Sequence, residues 1–238
     1  GLPAYTDGTL IDTSRSTTTM PSWARNETRN TTIGFEAAHH LDNGWQLKAL
    51  VGHASRDWRL NDAFPTGGVD PATGLIGNYL RRGWDYESTR ESFDVYGTGP
   101  FSLLGRQHAA TVGFNYERLS EERLSGANSS IANVPFGRAD LVPKNSIKPY
   151  VGGFGYETTQ NGMYSQLRFS LTDPLTVVLG GRFSNYTYRS RNVSPSPSTS
   201  WDERSRERNI FTPYAGVVYR INQHLALYSS YADIFMPQ

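Results

Sequence analysis

The amino-acid sequence predicts an all-β fold: an antiparallel, up-and-down transmembrane β-barrel segment of about eight strands with long extracellular loops, incomplete as a barrel. Three observations carry this expectation. Apolar residues recur at every second position in segment after segment, the period of a strand with one apolar and one polar face. The connections alternate strictly between short and long, so the long ones gather at one end of the sheet, as in outer-membrane barrels. No apolar run approaches the roughly 20 residues of a membrane helix, whereas barrel strands need apolar residues only at alternate positions.

The strands follow in order. Residues 1–28, rich in Thr, Ser, Pro, Asn and Asp, read as a long loop. Ile33, Phe35, Ala37, His39 and Leu41 then share one face, and Asp42-Asn43-Gly44 supplies a tight hairpin. Trp45, Leu47, Ala49 and Val51 return along it. Residues 60–83, dense in Gly, Pro and Asp, read as a loop, and Tyr86–Thr98 resumes a strand. The segment 99–107 turns the chain into the cleanest alternation, with Ala110, Val112, Phe114 and Tyr116 opposite Thr111, Gly113, Asn115 and Glu117. A second loop runs from about Leu119 into the 150s. Tyr164–Thr172 and Leu175–Ser184 form a pair around Asp173-Pro174, and a third loop, about 189–208, contains the charged run 202–208. The last pair is Phe211–Ile221 and Leu225–Phe235, around Asn222-Gln223-His224.

Opposite the apolar stripe stand Lys48, Asp94, Glu117, Arg168, Arg182 and Arg220. In a soluble sandwich that face would meet solvent; in a barrel it faces a wet lumen or a plug. Trp45, Phe101, Tyr116, Tyr219 and Tyr231 suit interfacial girdles, with Tyr231 expected near the upper interface. Among 238 residues there is no cysteine, so disulfides and thiolate metal sites are impossible, and a net charge of +1 does not favour nucleic acid. The five histidines show no metal-ligand spacing, and His39 and His40 point to opposite faces of one strand. No nucleophile or phosphate-loop motif is present, so no catalytic or metal residue is assigned.

Residues 211–238, FTPYAGVVYRINQHLALYSSYADIFMPQ, closely resemble a barrel segment of TonB-dependent ferric-siderophore receptors, with its TPYAG-x-x-Y strand and Y-x-SY-x-x-IF-x-PQ strand. GPFSLLGRQHAATVGFNY (99–116) is similar to the family's G-x-F-x-LFGR-x-H turn and strand, and DNGWQLKALVGH (42–53) to its NGW hairpin. The resemblance implies that residues 1–238 are one partial barrel domain, an internal piece without the plug domain or the remaining strands. It implies an outer-membrane receptor that binds a ferric siderophore and passes it inward, energised by TonB through the missing plug. Iron would enter only within the siderophore, with no resident cofactor; lipid and lipopolysaccharide would surround the wall. A passive porin-like or small closed barrel, or a soluble β-sandwich binding module, is the alternative.

A site for a bulky, polar iron chelate needs flat aromatic surfaces and Arg for oxygen-rich groups. Trp58, Tyr79, Arg81, Arg82, Trp84 and Tyr86 are the candidates around one outer loop; Tyr186, Tyr188, Arg189 and Trp201 flank another.

Overall fold

A computed structural model describes residues 3–14, 16–198 and 200–237. Among the described residues nine strands make one antiparallel sheet: β1 (Arg25–His40), β2 (Gln46–Pro65), β3 (Leu75–Leu103), β4 (Arg106–Gly126), β5 (Ser129–Pro135), β6 (Tyr150–Ser170), β7 (Leu175–Ser194), β8 (Asp202–Arg220) and β9 (Ala226–Ala232). Eight of them follow sequence order across the sheet, β1 and β9 being its edges, and β5 pairs with the outer end of β3. The up-and-down topology matches the sequence expectation; the count rises by one because β5 lies inside what reads as a loop.

The expected long loops are largely strand. β2 continues to Pro65 and β3 starts at Leu75; β4 runs to Gly126; the charged run 202–208 opens β8. The reason is physical: outside the membrane a strand no longer has lipid on one side and the lumen on the other, so the apolar alternation that reveals a strand disappears while the backbone ladder continues. β3, at 29 residues and roughly 3.3 Å per residue, far exceeds an apolar band of ~25 Å. At its inner end the expected 99–107 connection tightens to Leu104-Gly105, both with positive φ (52° and 73°), the backbone of a two-residue hairpin turn.

The ladder defines two faces. On one, Ala49, Val95, Phe114, Met163, Phe183 and Phe211 lie side by side across six strands. Met163 is 62% exposed, Phe183 54% and Phe211 50%, an apolar surface that water would not tolerate and lipid would. One step outward on that face the row Val51, Phe93, Tyr116 gives way to His53, Glu91, Arg118, which marks the upper edge of the apolar band. The opposite face carries Lys48, Tyr96, Gly113, Tyr164, Arg182 and Thr212 in one row. There Tyr164 Oη donates to Asp94 Oδ1 (2.9 Å), and Lys48 pairs with Glu36 (2.6 Å).

β9 ends at Ala232, three residues short of the expected Phe235. Asp233 N donates to Pro213 O (3.0 Å), but proline has no N–H to return the bond, so the ladder stops there. Tyr231 faces the apolar side as expected; opposite Ala215, however, it stands midway between Tyr219 and Phe211, in the middle of the band rather than at its upper edge. Tyr228 pairs with Val218 and Ser230 with Gly216, on the polar side. Gln238, the last residue of the motif, lies outside the described residues.

At the inner rim, side chains prolong the β4–β6 ladder where the backbones part. Ser170 N donates to His108 Nδ1 (3.0 Å), and Arg106 Nε donates to Ser170 O (3.0 Å). His108 Nε2 therefore carries the proton and donates to Leu103 O (3.1 Å). The buried apolar cluster lies at the outer end instead: Ala63, Val69, Ile76, Tyr79, Val134 and Val142, joined by Tyr5, Ile11 and Trp23 of the segment before β1. Trp23 Nε1 donates to Val142 O (2.7 Å) and ties that segment down.

Two glycines of the polar face host tyrosine rings. Tyr164 lies over Gly113 and Tyr214 over Gly180, and a Cβ at either glycine would collide with the ring. Gly113→Val is expected to destabilise the folded barrel by about 1–3 kcal/mol, read as a lower urea midpoint of the full-length protein in detergent. Gly34→Ala, where the nearest atom is Val51 O at 3.8 Å, is expected to leave that midpoint within experimental error.

Candidate functional site

Above the apolar band, Asp57, Glu87 and Glu122 occupy the outer face of β2, β3 and β4, so this part of the wall stands in water. On the opposite face one cross-strand row reads Trp58, Tyr86, Arg123, Phe154, from β2, β3, β4 and β6. Trp84 sits one position further out and Tyr156 one further in, because side chains two residues apart on a strand share a face. Together with Arg56 they line an open concavity of about 520 Å³.

The aromatic planes are set by edge-on packing. Trp58 meets both Trp84 and Tyr86 with ring centroids 6.3 Å apart, at 81° and 68°. Tyr156 stacks on Tyr188 of β7 at 6.1 Å and 10°, and lies 6.3 Å from Phe154. The Arg123 guanidinium bridges the two groups, 5.5 Å from the Tyr86 ring and 5.7 Å from Tyr156. The Tyr86 hydroxyl donates to Glu121; burial first, and that bond second, raise its pKa, so the ring is neutral at physiological pH.

An ion pair supports the outer margin. Arg82 donates from Nε and Nη2 to the two oxygens of buried Asp62 (2.8 and 3.0 Å). The pairing raises the arginine's pKa and holds its plane over Phe64 (4.7 Å) and near Trp84 (6.0 Å).

Of the residues the sequence singles out, Trp58, Arg82, Trp84 and Tyr86 converge here, and Tyr188 extends the same surface. Tyr186 shares that face one step inward, paired with Gln160. Arg81 points the other way and donates to Pro143 O (3.2 Å). Tyr79 is 1% exposed within the outer core, its hydroxyl donating to Thr19 O (3.0 Å). Arg189 pairs with Glu203 across the β7–β8 ladder, on the opposite face from Tyr188. Trp201 packs under Arg191 at 4.6 Å, also on the outer side beside Gly155. Arg56, Arg123, Phe154 and Tyr156 escape the sequence reading because the last three fall within a presumed loop. The register of the inner strands would have found them: the Tyr116↔Asn161 pairing, continued outward in step, brings Arg123 opposite Phe154.

The arrangement is suited to holding a large ligand by stacking and charge. Among the described residues no group of three His, Asp or Glu converges as a metal site.

On the outer face, the segment after β5 crosses the wall: Ile147 lies against Gly83 and Gly126, and the Tyr150 hydroxyl donates to Asp85. Burial, and then the Asp85 carboxylate, push the Tyr150 phenol up to about 12. A raised phenol stabilises the fold only while protonated; that contribution is complete below the unfolded tyrosine value of about 10 and is lost as pH rises through the folded value. Tyrosinate absorbance is expected to show a late-titrating phenol near 12, and Asp85→Asn to bring that midpoint down. A titration unchanged by Asp85→Asn would contradict the assignment.

Residues 2–238 match the family model described as TonB dependent receptor-like, beta-barrel. The ferric-pyoverdine receptor PbuA of a Pseudomonas species is 32% identical over 253 residues, covering 100% of this chain and 30% of that protein. The ferripyoverdine receptor of Pseudomonas aeruginosa is 30% identical, over 97% of this chain and 28% of that protein. A crystal structure of the P. aeruginosa outer-membrane ferripyoverdine receptor bound to ferripyoverdine superposes with a TM-score of 0.80 at 27% identity, covering 100% of this chain and 31% of that one. The chain thus spans about 30% of the length of the relatives it matches.

Proposed function

This chain belongs to the TonB-dependent receptor-like β-barrel family, and from that premise we propose that it forms part of the wall of an outer-membrane receptor that takes up a ferric siderophore. Pyoverdines are the class to test first, since its relatives are named for them. The polar face lines the lumen, the apolar face meets lipid, and the outer ends stand among lipopolysaccharide. Iron is cargo, carried within the chelate. Energy for release into the cell comes from TonB, acting through a plug domain, and the wall itself performs no chemical conversion.

One observation carries the proposal: the concavity of Trp58, Trp84, Tyr86, Phe154 and Tyr156 around Arg123 opens on the luminal side, beyond the lipid. A ferric chelate is large, oxygen-rich and partly flat, and aromatic planes with an interposed guanidinium match it in shape and charge. The site stands on strands, so its geometry is fixed before ligand arrives, which lowers the entropic cost of binding.

The test is uptake of radio-iron as ferripyoverdine by cells that lack their own receptor and express the full-length gene. Saturable uptake abolished by a protonophore is expected; uptake that is non-saturable and indifferent to the protonophore would mark a passive pore and contradict the proposal. Trp84→Ala is expected to weaken chelate affinity by about 10–100-fold, the range for a central aromatic anchor. Arg81→Ala, on the outer face, is expected to leave it unchanged.

A further inference from the structure

We infer that the inner edge of the wall is seated in the membrane: its inner turns, led by Leu104, bind the phospholipid headgroup layer instead of standing free in water. The inference rests on a wall that spans a membrane and not on which chelate the receptor takes.

Leu104 carries the argument. It occupies the first position of the two-residue β3–β4 turn with a φ of 52°, a left-handed backbone that Asn, Asp or Gly adopts more readily. In water leucine would be penalised twice there, since its backbone is strained and its side chain is 93% exposed. An apolar medium removes the second penalty. The depth agrees. From Phe93, at the upper edge of the apolar band, β3 advances ten residues to Leu103. At roughly 3.3 Å per residue and a tilt of about 40° that is about 25 Å of height, the full apolar band. Leu104 follows at once, where acyl chains meet headgroups.

The other inner turns repeat the pattern. Each is closed by a backbone bond between two apolar residues: Leu41 N donates to Trp45 O (2.8 Å), Leu171 N to Leu175 O (3.0 Å) and Ile221 N to Leu225 O (2.9 Å). Leu41, Leu171 and Ile221 come two residues after His39, Phe169 and Tyr219, so they continue the lipid-facing stripe, and all three are exposed. Within these turns, side chains take up the amides. Asn43 Oδ1 accepts from Trp45 N (3.1 Å), Thr172 Oγ1 from Leu175 N (3.2 Å) and Asn222 Oδ1 from Leu225 N (2.9 Å). Amides satisfied inside the turn need little water, which suits the edge of a bilayer. Arg106, two residues after Leu104, is already paired with Asp173, so its charge is answered within the wall. A hydrophobic row along the inner edge fixes the height at which the wall sits, as interfacial anchors do.

The experiment uses the full-length receptor in phosphatidylcholine vesicles, with no other protein present. An environment-sensitive fluorophore on Leu104→Cys is expected to be quenched by lipids brominated near the headgroup and to be shielded from aqueous iodide. In the same vesicles Leu104→Asn is expected to lower the urea midpoint of unfolding by roughly 0.5 M, although Asn suits the backbone better. A turn standing in water gives the opposite sign, because only the backbone preference then counts. A label that iodide reaches as freely as it reaches the dye in solution, a label that lipid bromine does not quench, or an unchanged or raised midpoint for Leu104→Asn overturns the inference. In each case the spanning wall, read from the alternation along β4, stands.

Discussion

A strand in hydrocarbon has no water to satisfy its amides, so each N–H and C=O must find a partner on a neighbouring strand. The order of this sheet follows from that requirement. Each long strand pairs with the next long strand, joined alternately by a turn of a few residues at the inner end and a longer connection at the outer end, and the register from β1 to β4 runs unbroken over 16 pairs or more per seam. Where backbones part at the inner rim, His108 and Arg106 take over the ladder with ring and guanidinium nitrogens. Where a backbone cannot donate, at Pro213, the β8–β9 ladder ends.

Unbroken pairing fixes the faces, and the faces fix what each part of the wall does. Within the apolar band large side chains project outward without a core beneath them, and the buried cluster appears only at the outer end, where water supplies a hydrophobic driving force. Tyr164 and Tyr214 on the luminal face lie over the glycines directly opposite them, Gly113 and Gly180, where no side chain would fit beneath the rings. Beyond the band the same ladder carries Trp58, Tyr86, Arg123 and Phe154 into one row. The candidate recognition surface is an extension of the transmembrane wall, built with its register.

How much of this can be read from the residues depends on the medium each segment meets. Phe114 and Val112 alternate with Gly113 and Asn115 because lipid lies on one side only, so β4 is legible there. Arg118–Gly126, with water on both sides, carries charge on both faces and reads as loop although it continues the same strand. β5 is hidden because its seven residues, Ser129–Pro135, are too few and too irregular in pattern to announce a strand; its pairing with β3 is a long-range property. The candidate site was half legible: the spacing of Arg82, Trp84 and Tyr86 by twos puts them on one face, and it equally sends Arg81 away from them. Arg123 and Tyr156 needed the register, a long-range property. Arg189 follows Tyr188 directly, so the same alternation sends it to the other face, whereas Trp201 lies before β8, where no alternation places it.

The claim on which the rest depends is that alternate residues of one strand face lipid and lumen. It is tested most directly by placing single spin-labelled cysteines along β4 of the full-length receptor in bilayers, at Val112, Phe114 and Tyr116 and at Asn115 and Glu117. This stretch has no cysteine of its own to interfere. The account expects the first three to collide preferentially with lipid-soluble oxygen and the other two with a water-soluble nickel chelate, in strict alternation. Equal accessibility along the strand, or alternation of the opposite phase, would contradict it.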